Sequence, residues 1–97
     1  MSVSIHRMRD TDVEYVFKLE REIFIDPWTL ESFYAEVAST KNSYPCVLLS
    51  DNLFAGYAVV WYYSGEIHIG NFAIHPNFRR QGLGKYLLLN ILMTFKD

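Results

Sequence analysis

Val3 and Ile5 alternate with polar neighbours up to Arg7, which predicts a short strand. Thr11, with Glu14 three residues later, forms a capping-box pattern. Behind it Val13, Val16, Phe17, Leu19, Glu20, Ile23 and Phe24 recur at helical spacing and predict an amphipathic helix. It should end before Asp26-Pro27, because the residue preceding a proline leaves the α region. Pro27-Trp28-Thr29 opens a second helix, with Thr29 as its expected N-cap. Leu30, Phe33, Tyr34 and Val37 form its apolar face. Ser39 to Ser43 reads as polar loop, Cys46 to Leu49 as a strand, and Asp51-Asn52 as a turn. Phe54 to Tyr63 is rich in β-branched and aromatic residues, Ser64-Gly65 turns the chain, and Glu66 to Ile74 is the next strand. Two long runs around a tight turn predict an antiparallel hairpin. After a loop, the apolar run Tyr86 to Phe95 predicts a helix buried on most sides. The predicted order is strand, helix, helix, three strands, loop, helix.

Composition bounds this picture. The 97 residues leave room for one core, and 51% hydrophobic with 16% aromatic residues make that core dense. Nine Lys plus Arg against eleven Asp plus Glu give a net charge of −2, which argues against a protein that coats nucleic acid. Cys46 is the only cysteine, so an intrachain disulfide and a cysteine-based zinc site are excluded; no metal is expected. Arg7, Arg9, Asp10 and Asp12 rule out a signal-peptide core at the start. Tyr86 to Phe95 is too short for the roughly 20 residues of a membrane span, so no membrane partner is expected. A cytoplasmic setting is the expectation.

The chemistry concentrates between Asn71 and Lys85. A strand leads into a loop with Gly82 and Gly84, and a helix starts there. Unpaired N–H groups and the positive end of a helix dipole attract anions such as phosphate. Neither glycine carries a side chain to block a ligand, and Arg80 and Lys85 add positive charge. Two phosphate loops are excluded. The third Rossmann glycine is replaced by Leu87, and Tyr86 stands where a Walker A loop needs Ser or Thr. A glycine-rich turn into a core helix is the plain alternative.

Arg79-Arg80-Gln81-Gly82-Leu83-Gly84 resembles the acyl-CoA loop of the GNAT superfamily of N-acyltransferases, Q/R-x-x-G-x-G/A. Asn71-Phe72-Ala73-Ile74-His75-Pro76 resembles the strand before it, N-I-A-V-x-P. Asp26-Pro27-Trp28 with Phe33 is similar to the substrate-side helix start of ribosomal-protein-alanine acetyltransferases (RimI-like). The resemblance implies a mixed α/β fold, a mainly antiparallel sheet with packed helices. It implies acetyl-CoA as co-substrate, with the backbone of Phe72, Ala73 and Ile74 beside pantetheine. The N–H groups of Arg80, Gln81, Gly82, Leu83, Gly84 and Lys85 would hold the pyrophosphate. It further implies acetyl transfer to an amine, foremost a protein N-terminal α-amine, with Trp28 and Phe33 on the substrate side. An α-amine has a reference pKa of about 7.7–8.0, so a weak or water-mediated base suffices.

Glu66 and His68 are the candidate bases, two residues apart and therefore on one strand face; each is otherwise a solvated or structural residue. Cys46 reads as a small core residue. The family fold continues beyond the helix after the loop. Residues 1–97 are therefore expected to be the N-terminal portion of one domain, with weak or no turnover alone and a C-terminal helix prone to self-association. A small-molecule acetyltransferase and a non-catalytic acyl-CoA-binding module remain alternatives.

Overall fold

The computed structural model describes residues 2–39 and 41–96. Strand β1 (Val3–Arg7) is followed by helices α1 (Val13–Ile23) and α2 (Leu30–Ala38). Strands β2 (Ser43–Ser50), β3 (Leu53–Tyr63) and β4 (Glu66–Ile74) follow, and helix α3 (Leu83–Thr94) closes the order. The four strands form one antiparallel sheet in the order β1-β2-β3-β4. Strand β4 is an edge of it.

Both faces of the sheet are covered, which explains why its central strands are apolar without alternation. Val47, Tyr57, Val59 and Ala73 point toward α1 and α2, where they meet Val13, Val16, Leu19 and Phe33. Cys46, Leu48, Ala58 and Val60 point the other way, onto Leu83, Leu87 and Ile91 of α3.

Local chemistry sets the helix ends. Thr29 accepts a hydrogen bond from the Ser32 N–H at 3.0 Å and caps α2 as its sequence suggests. The other end of α2 is held by Arg7, whose guanidinium donates to the carbonyls of Ser39 (2.8 Å), Ser43 (3.1 Å) and Val37 (3.4 Å). The entry to α1 differs from the Thr11 box. Residues Asp10–Asp12 form a 3-10 turn, and the Asp12 carboxylate accepts from the Arg9 N–H at 2.8 Å. The shorter Asp12 carboxylate reaches back over this tighter turn, so no Thr11–Glu14 exchange is needed.

Two further boundaries move. β2 takes in Ser43, because Ser43 pairs with Trp61 of β3. α3 starts at Leu83 rather than Tyr86, so Gly84 lies in its first turn. Only Leu83, Leu87 and Ile91 of α3 are buried. Leu88, Leu89, Leu92 and Met93 are exposed, so this helix buries one face rather than most sides.

Leu87→Ala should lower the unfolding free energy by about 2–5 kcal/mol, while Leu89→Ala should change it by less than about 1 kcal/mol. Urea denaturation of the two variants checks this contrast.

Candidate functional site

The loop after β4 turns sharply. Arg80 has φ +66° and Gly82 has φ +77°, both left-handed. That conformation is costly for arginine and free for glycine. Gly82 sits at the N-cap of α3, whose first N–H groups have no intrahelical acceptor. A Cβ at Gly82 would meet nothing within 4 Å, and one at Gly84 would meet only Ile74 at 3.6 Å and Phe72 at 4.0 Å. Here Ile74, Phe78, Arg79, Arg80, Gly82, Leu83 and Gly84 line an open cleft of about 300 Å³. The residues present therefore suit an anionic ligand that approaches the backbone closely. Gln81 and Lys85 belong to the same turn but do not line the cleft.

Register decides what the β4 edge offers. His75 donates its N–H to the Ala55 carbonyl at 2.7 Å, and the pairing continues through Ile74–Gly56, Ala73–Tyr57 and Phe72–Ala58. Polar backbone groups alternate along a strand, so Ala73 faces β3 while Phe72 and Ile74 face outward. Side chains confirm the direction. Arg79 Nε donates to the Ile74 carbonyl at 3.1 Å, and Asn71 Oδ1 accepts from the Phe72 N–H at 2.9 Å. The expectation for Ala73 is corrected, because its backbone is already spent on Tyr57.

Below Phe72, Gly70 is an extra residue between the Asn71–Val59 and Ile69–Val60 pairs. Such a bulge re-aims the strand. The Trp61 indole lies across it, and a Cβ at Gly70 would collide with Trp61 Cη2. Trp61 stacks on Trp28 at 6.0 Å and donates its N–H to Glu36 at 2.9 Å. Trp28 also lines a groove of about 460 Å³ with Phe17, Arg21, Pro27, Thr29, Leu30 and Glu31. Phe33 does not reach this groove. It is fully buried, edge-on to Tyr57 at 6.0 Å, so it backs Trp28 instead of facing a substrate.

Glu66 and His68 lie on the α1 side of β4, opposite Tyr63 and Trp61. His68 Nε2 is 3.0 Å from Glu66 Oε1, and its ring stacks on Tyr63 at 4.6 Å. His68 is four residues before Phe72, about 13 Å along a strand.

Glu20 is the buried charged residue beside the site whose partners sequence reasoning missed. It is 2% exposed, yet both carboxylate oxygens are hydrogen-bonded. Tyr57 OH donates to Oε1 at 2.5 Å, Asn71 Nδ2 to Oε1 at 2.9 Å, and the Trp28 N–H to Oε2 at 3.0 Å. The available signal was a carboxylate inside the apolar stripe of α1. Burial, then the hydrogen bond and negative charge of Glu20, push the Tyr57 hydroxyl far above its ordinary pKa. Burial raises the Cys46 thiol from 9.0 to about 12, so it stays neutral in the core. Among the described residues no group of three metal-ligating side chains comes together, and no helix is long and apolar enough to cross a membrane.

Comparisons agree with this geometry. The model of the acetyltransferase (GNAT) family matches residues 13–97. A Bacillus subtilis (strain 168) protein named "Putative ribosomal protein bS18-alanine N-acetyltransferase" is 32% identical over 94 residues, covering 97% of this chain and 62% of the relative. The chain thus spans about three-fifths of that relative's length. The crystal structure of the Escherichia coli ribosomal-protein-S18-alanine N-acetyltransferase superposes with a TM-score of 0.85 at 22% identity, over 97% of this chain and 59% of that one. The PaiA N-acetyltransferase from Thermoplasma acidophilum, in complex with coenzyme A, gives 0.85 at 16% identity, over 99% and 73%. These two likenesses establish the fold.

Gly70→Ala should displace the Trp61 indole from the Trp28 stack. Since these are the only two tryptophans, fluorescence emission should shift to the red; a spectrum superimposable on the parent's would refute the packing. Raised folded-state pKa values also give a pH dependence. The neutral forms of Cys46 and Tyr57 stabilise the fold fully below the unfolded values of 9.0 and 10.0, and that contribution is lost as pH rises above them. Urea midpoints measured from pH 8 to 11 should fall above pH 9, and less steeply in Tyr57→Phe.

Proposed function

This chain belongs to the acetyltransferase (GNAT) family, and from that membership we propose that it takes acetyl-CoA as substrate and passes the acetyl group to an amine, foremost the N-terminal α-amine of a protein. The observation that carries the reading is continuity. The outward edge of β4 runs directly into the cleft at the glycine-bearing start of α3. The pyrophosphate would sit at the first N–H groups of α3, and pantetheine would pair with the outward groups of Phe72 and Ile74 as an added strand does. The Phe72 N–H would face the thioester carbonyl.

The amine attacks that carbonyl, the C–S bond breaks, and the proton the amine loses passes by way of a base to the thiolate of coenzyme A. His68, hydrogen-bonded to Glu66, is the candidate proton acceptor and would work through water across the interval to Phe72. The Trp28 groove is the candidate acceptor wall, and the chain's likeness to a putative bS18-alanine N-acetyltransferase favours an N-terminal alanine as acceptor. In this reading residues 1–97 are the N-terminal portion of one acetyltransferase domain, set in the cytoplasm. The exposed Leu88, Leu89, Leu92 and Met93 would be covered by further protein or a second copy.

Acetyl-CoA at 100 times its dissociation constant should stabilise the fold by about 2.7 kcal/mol, a rise in Tm of at least roughly 10 °C. A thermal melt with and without it checks this, with adenine as the control. An unmoved transition overturns the acyl-CoA reading. Transfer to alanine-initiated peptides but not to small amines supports the acceptor; the reverse preference points to a small-molecule substrate.

A further inference from the structure

The edge donor expected to meet the thioester carbonyl already has an acceptor. Asn71 Oδ1 takes the Phe72 N–H at 2.9 Å. The orientation of that carboxamide follows from its other end. Asn71 Nδ2 lies 2.9 Å from Glu20 Oε1, and a carboxylate can only accept. Glu20 is itself held by Tyr57 OH and by the backbone N–H of Trp28. The amide thus has its nitrogen fixed inward and its oxygen fixed toward the edge.

An N–H left without an acceptor where a bound ligand excludes water from it is costly. When an acyl carbonyl is present, it can satisfy Phe72. When coenzyme A is bound without its acyl group, Asn71 satisfies Phe72 instead. Resting on the acyl-CoA reading above, we propose that Asn71, locked by Glu20, is a specificity-determining residue: it supplies the Phe72 N–H with an internal acceptor and so narrows the preference for acetyl-CoA over coenzyme A. The consequence for turnover is direct: the product complex keeps no orphaned donor, so coenzyme A is held more tightly than it would be without Asn71. Glu20 touches neither substrate; it is a positioning residue acting through Asn71.

Substitution chemistry separates this role from general support of the fold. In Glu20→Gln one carboxylate oxygen becomes an NH2 donor. The Trp28 backbone N–H cannot reverse, whereas an amide and a hydroxyl can. The Gln oxygen therefore stays on Trp28, and its NH2 turns to Tyr57 and Asn71. Asn71 must then flip, presenting its nitrogen to the Phe72 N–H and removing the acceptor. Asn71→Ala removes it outright. In the exchange variant Glu20→Gln/Asn71→Asp, one carboxylate remains in the cluster, the Gln NH2 donates to Asp, and the second Asp oxygen accepts from Phe72 again.

Isothermal titration of the 97-residue chain with acetyl-CoA and with coenzyme A tests this through the ratio of the two dissociation constants, which cancels effects common to both ligands. The ratio should shift toward acetyl-CoA by about tenfold in Asn71→Ala and in Glu20→Gln, return to the parental value in the exchange variant, and stay parental in Tyr57→Phe. Circular dichroism at the titration temperature confirms folding; if either single variant is unfolded, the ratio measured on the other decides. A ratio that is unchanged, or that shifts toward coenzyme A, overturns the role of Asn71. A ratio not restored by the exchange overturns the Glu20 link. A parent that binds neither ligand overturns the acyl-CoA reading itself, a result distinct from both.

Discussion

A buried carboxylate costs several kcal/mol unless its lone pairs are met, and Glu20 meets that demand with donors from three separate parts of the chain. The hydroxyl comes from the middle of β3, the carboxamide from β4 beside its bulge, and the N–H from the corner between α1 and α2. Each donor lost weakens the compensation of the buried carboxylate, so the three elements are drawn to one geometry. α1 is thereby fixed over the sheet at the place where the β4 edge becomes irregular.

The bulge at Gly70 depends on the same arrangement. Trp61 needs the space that a side chain at Gly70 would fill, and its indole N–H needs Glu36 of α2. Trp28 stacks on it, and its own backbone is anchored by Glu20. The candidate acceptor wall and the candidate acyl edge are therefore built on one cluster. A shift of α1 or α2 would alter both together.

The opposite face of the sheet carries a different constraint. α3 begins close to β4, with Gly84 beside Ile74 and Phe72, and Gly82 accepts a left-handed conformation without strain. Arg79 pins the loop by taking the Ile74 carbonyl. The left-handed Arg80 is the strained member of this turn, and strain of that kind is retained where surrounding structure over-determines it.

Much of this was legible in the chain itself, because it is written in neighbouring residues. Helical spacing marks α1, proline marks its end, Thr29 marks the start of α2, and the two glycines after β4 mark a close approach to backbone. Local patterns of this kind also carried the resemblance to the acyltransferase family. What the tertiary structure alone decided involves partners far apart in sequence. Glu20 finds Trp28, Tyr57 and Asn71 at separations of 8, 37 and 51 residues. Phe33 turns to the core because Tyr57 lies beneath α2, and Ala73 turns inward because its register with Tyr57 leaves the outer edge to Phe72 and Ile74. Periodicity reports which face of an element is apolar. It does not report which polar groups meet across the core, since that depends on how the elements are placed against one another.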